Sequence, residues 1–126
     1  MSQPTSAPVD QLFTAAAALR ELVNLFTDRE LDDDLLEEIT EIAHELSAMV
    51  AQATRWDRRV GLEAGLRAPD SAEGHGRGFP YRAIAGRANP AAIPMMPHFG
   101  DGVVTTEITF GPMHGGAPGR GHGGVE

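Results

Sequence analysis

The sequence predicts an α+β chain in which a helical hairpin, residues 1–54, is followed by a linker and proline-rich extended segment, 55–101, and then by a strand and a glycine-rich end, 102–126. Three observations carry this expectation. Apolar residues recur at three- and four-residue spacing in two successive stretches, about 9–26 and 32–54, as one face of an amphipathic helix requires. Prolines at 80, 90, 94 and 97 exclude a regular helix from 78–99 and make it a poor central strand. The run VVTTEITF at 103–110 is β-branched and aromatic, with Val104, Ile108 and Phe110 on one face, and reads as a strand.

The first stripe is Val9, Leu12, Phe13, Ala16, Leu19, Leu22, Val23 and Phe26, with Asp10 as a candidate cap. TDRE at 27–30 breaks the pattern. Thr27 and Glu30 have capping-box spacing for a second helix start, and Asp32 is an equally good N-cap. The second stripe is Leu35, Leu36, Ile39, Ile42, Ala43, Leu46, Met49 and Val50. Its acidic companions, Asp32, Asp33, Asp34, Glu37, Glu38 and Glu41, are expected to form a solvated face near the positive end of the helix dipole. A carboxylate metal or catalytic site would need convergent partners from other helices. His44 is expected at the edge of the apolar stripe.

Composition bounds the function. One domain or part of one is expected from 126 residues. A net charge of −8 argues against nonspecific nucleic-acid binding, so the RWDRR cluster at 55–59 is expected to pair with the acidic helices. All positive residues are arginine, and most lie from Arg55 onward, which makes that half the better place for an anionic ligand. The absence of cysteine excludes disulfides, thiolate metal sites and a cysteine nucleophile. The N-terminus has neither the basic nor the apolar region of a signal peptide, and no run approaches the ~20 apolar residues of a membrane helix. A cytoplasmic protein that spans no membrane is the expectation.

Apolar residues persist through the proline-rich stretch, from Phe79 and Tyr81 to Ile93, Met95 and Met96, so it is expected to lie extended against a surface, either a substrate channel or a dimer partner. Gly100-Asp101-Gly102 is a turn. The final stretch, GPMHGGAPGRGHGGVE, is rich in glycine, which lets a backbone approach a ligand closely. A glycine turn that opens a helix presents unpaired amide N–H groups, suited to an anion or a developing oxyanion.

The order AGRANPAAIPM, a strand ending TFGP, a glycine-rich loop and HGG resembles the hotdog-fold acyl-CoA thioesterases, most closely the phenylacetate-degradation branch. The resemblance covers about 79–126. It implies an antiparallel sheet wrapped around one long helix whose entrance is His122, Gly123 and Gly124. The Gly123 amide would polarise the thioester carbonyl, with His122 beside it, while Gly124, Asn89 and Arg120 would contact the substrate. It further implies an acyl-CoA substrate, a homo-oligomer, and no metal or cofactor. The family's catalytic carboxylate lies about two helical turns beyond HGG, a position these residues do not reach, and Glu126 is too close to Gly124 to replace it. The sequence therefore corresponds to the first half of a hotdog subunit preceded by an added helical hairpin, either a thioester hydrolase or an inactive fragment of one.

Two other expectations belong to different classes. One is a noncatalytic helical module whose apolar stripes, within 9–54, dock on a protein partner. The other is a metal site built from His75, His98, His114 and His122, whose wide spacing matches no compact ligand motif.

Overall fold

The computed structural model describes residues 7–60, 63, 87–116 and 118–121. Two helices, α1 (Ala7–Thr27) and α2 (Asp33–Ala51), precede a two-stranded antiparallel sheet, β1 (His98–Gly100) and β2 (Val103–Thr105), and a single 3₁₀ turn, Pro112–His114. The order is that of an α+β chain.

The two apolar stripes become the two helices. Asp10 lies within α1 rather than ahead of it, because the helix begins at Ala7. At the other end the Thr27 hydroxyl donates to the carbonyls of Val23 (3.0 Å) and Asn24 (3.1 Å), the second of which is among the last four acceptors that have no helical partner. Between the two candidate starts of the second helix, the structure selects Asp32. Its Oδ1 accepts from the Leu35 amide at 2.9 Å, with Asp33 and Asp34 following in the first turn, where the dipole favours negative charge. Glu37, Glu38 and Glu41 are exposed, as a solvated face would have them.

α2 contains no buried residue, and among the described residues α1 and α2 do not pack on each other. The expectation that the two stripes meet is thereby revised. α1 instead packs on the 3₁₀ turn and the proline-rich segment, burying Phe13, Ala16 and Arg20 together with Ala88, Ala92 and Ile93. The chain's own first helix is therefore the surface against which residues 88–93 lie. Because α2 has no tertiary packing, its helicity rests on local terms, and Asp32→Ala is expected to cost it about 1 kcal/mol. Loss of far-UV helical signal without loss of the α1 packing would report this, and unchanged helicity would contradict it.

The strand expected over 103–110 is shorter than the β-branched run, and its partner comes from the end of the proline-rich segment. Prolines stop at 97, which frees 98–100 to donate and accept ladder hydrogen bonds. Pairs are His98 with Thr105, Phe99 with Val104 and Gly100 with Val103. The two residues that join the strands, Asp101 (φ 51°) and Gly102 (φ 71°), both take positive φ, as a type I′ hairpin turn requires. Beyond the ladder the Thr106 hydroxyl donates to Met96 O at 3.2 Å, and residues 106–110 leave the sheet. Both strands are exposed on both faces. Among the described residues no helix is long and apolar enough to cross a membrane.

Candidate functional site

The most constrained part of the chain is where α1 holds two distant turns. Phe13, Ala16, Arg20 and Asn24 follow one another at intervals of three and four residues and so share a helix face. Arg20 keeps only 9% of its exposure, and its Nε and Nη2 donate to the carbonyls of Ala92 (2.8 Å) and Asn89 (2.9 Å). The only ion pair among the described residues joins Arg29 to Asp28, so this buried guanidinium is met by carbonyl dipoles and not by a carboxylate. Burial lowers its pKa from the ordinary value by desolvating the cation.

Arg20 reads a turn that the sequence builds locally. Asn89 Oδ1 accepts from the Ala91 amide at 3.0 Å and Asn89 O accepts from the Ala92 amide at 3.0 Å, with Pro90 presetting φ between them. Both carbonyls are thereby turned toward α1. Two turns before Arg20 on the helix, the Arg87 guanidinium lies 4.2 Å from the centre of the Phe13 ring, a cation–π contact that ties the start of the turn to the start of the buried face.

Asn24 performs the same service for the glycine-rich loop. Its Oδ1 accepts from the Met113 amide at 3.0 Å, in the 3₁₀ turn. His114 Nε2 donates to Ala91 O at 2.7 Å, which links this turn back to the Asn89 turn and leaves Nδ1 of a neutral ring as the acceptor. The loop then closes on itself: Gly115 pairs with Gly121 as an antiparallel bridge, and the Gly116 amide donates to Arg120 O at 2.9 Å. Gly119, at φ 79°, occupies a conformation that L side chains resist.

Two glycines are fixed by close approach. A Cβ on Gly121 would stand 2.8 Å from the Phe110 ring, and one on Gly111 would stand 2.5 Å from Asn24 Oδ1. Gly111→Ala is therefore expected to displace Asn24 and forfeit its bond to Met113, costing about 1 kcal/mol or more in denaturant unfolding. In the Asn24→Ala background the same change should cost much less. Equal costs in both backgrounds would show that the contact is not the cause.

The expected site residues divide accordingly. His122, Gly123 and Gly124 lie outside the described residues, as does His75. Asn89 is present as the residue that shapes the turn held by Arg20, and Arg120 is exposed with its carbonyl closing the glycine loop. His98 is exposed on β1, whereas His114 is bonded to Ala91 O. Among the described residues no group of three His, Asp or Glu side chains is arranged to hold a metal. Arg20 and Asn24 were not among the expected residues; a guanidinium and an amide in register with Phe13 and Ala16 were the available signal.

Comparison of the chain with family models, with curated proteins and with solved structures finds no match in any of the three.

Proposed function

We propose that these residues are the leading part of a hotdog-type acyl-CoA thioesterase, acting in the cytoplasm as a homo-oligomer. The observation that carries the reading is the clamped glycine loop: anchored on α1 through Asn24 and closed by the Gly115–Gly121 pair, it brings the backbone to a definite place one residue before His122. Acyl transfer uses such a loop to aim a backbone donor, because the thioester oxygen gains negative charge on attack and a prepositioned N–H stabilises it by roughly 3–4 kcal/mol. In this reading Gly123 is that donor, with His122 and Gly124 forming the entrance of the following helix. Asn89 then contributes by holding the turn beneath the loop, and Arg120 offers positive charge to the CoA moiety.

The exposed two-stranded sheet supports the same reading, since two short strands with open edges are stable only as part of a larger sheet. In this reading none of the 126 residues is assigned as nucleophile or general base. Thioester release from acyl-CoA, compared between this chain and a longer one that continues the helix and the sheet, tests the proposal; a longer chain without turnover would overturn it.

A further inference from the structure

We propose that α2 pairs in antiparallel orientation with α2 of a second copy of this chain. The helix is 19 residues long, roughly 28 Å at the usual rise, and none of its residues is buried. Helices in proteins draw most of their stability from a packed apolar face. α2 has such a face and, among the described residues, no partner for it: Leu35, Ile42, Leu46, Met49 and Val50 are exposed.

The spacing of that face selects another helix as its cover. Leu35, Ile39, Ile42, Leu46 and Met49 are separated by four, three, four and three residues, the 3.5-residue repeat of a two-helix seam. Charge selects the occupant and its direction. The start of the helix is acidic, with Asp32, Asp33 and Asp34 exposed, and the chain just past its end is basic, with Arg55, Arg58 and Arg59 exposed. Parallel pairing would stack six aspartates at one end. Antiparallel pairing of two copies sets the acidic start of each helix against the basic end of the other and opposes the two helix dipoles.

One register satisfies both the seam and the charges. With Ile42 opposite Leu46 of the second copy, Ile39 falls opposite Met49, and Ala51, the last residue of the helix, falls opposite Glu37, so the basic residues after it follow on beside the acidic start of the second copy. This self-association uses the added helical segment and none of the residues assigned to thioester chemistry, so it stands or falls separately from that assignment.

The chain contains no cysteine, which allows a direct test. Light scattering on the purified chain at micromolar concentration is expected to report twice the single-chain mass of 13.4 kDa, and Ile42→Glu to weaken association roughly 100-fold by placing two carboxylates in the seam. Mild oxidation of Ile39→Cys/Met49→Cys should give a covalent dimer. Those positions lie about 15 Å apart along one helix, beyond the reach of an intrachain disulfide. Ile39→Cys alone should remain uncrosslinked, because its counterpart in the antiparallel pair is the same distance away. A single-chain mass for the unaltered protein, an unchanged mass for Ile42→Glu, or efficient crosslinking through Ile39→Cys alone would overturn the proposal.

Discussion

Replacement of Arg20 by methionine is expected to destabilise the packed unit by about 2–4 kcal/mol. Methionine retains an aliphatic stem of similar length at this buried position, so little of the loss comes from packing. What disappears are two charge-assisted donors. Ala92 O would lose the Arg20 bond at 2.8 Å, and an acceptor stripped of its partner in a buried position costs about 1–3 kcal/mol, whereas Asn89 O would lose the bond at 2.9 Å and keep the one from the Ala92 amide. Relief from burying a cation offsets part of the loss. Arg20→Lys should recover less than half, since a single ammonium cannot reproduce the two-pronged geometry. Urea unfolding followed by helical signal, together with amide exchange at Ala92, measures the effect. An Arg20→Met chain as stable as the original would show that the guanidinium is incidental to the fold.

Thioester turnover is expected to differ by at least 10²- to 10⁴-fold between these 126 residues and a longer chain that supplies a carboxylate two turns past HGG, the share that general acid–base catalysis usually contributes. The difference should be greater in practice, because an amide at Gly123 lowers the barrier only when a helix behind it fixes its direction in a dry site. In the longer chain Gly123→Val should lower kcat about 10²- to 10³-fold with little change in KM, as expected for a contact made chiefly in the transition state. A complementary result would come from Asn24→Ala, which loosens the base of the loop and should reduce kcat less than Gly123→Val does. Turnover by the 126 residues alone, abolished by Gly123→Val, would instead place the chemistry on His122 or Glu126.

Local order was legible in the sequence wherever neighbouring residues decide it. Both helices follow from three- and four-residue spacing, two candidate starts for the second from the capping residues at Thr27 and Asp32, and the turn at 100–102 from its glycines and aspartate. Even the irregularity of the proline-rich segment was readable, because the absence of backbone donors is a property of single residues.

Tertiary structure decided the partners. That β1 is His98–Gly100, that α1 covers residues 88–93 and the 3₁₀ turn while α2 covers nothing, and that Arg20 and Asn24 hold the two turns could not be read from periodicity, which marks a face as apolar without naming what meets it. The contacts responsible join residues 69, 72 and 89 positions apart. At such separations a side chain's partner depends on how the whole chain closes. The physical reason is that burial in α1 was won by carbonyls and amides pointing in specific directions, which a sequence of side chains does not display until the turns that aim them have formed.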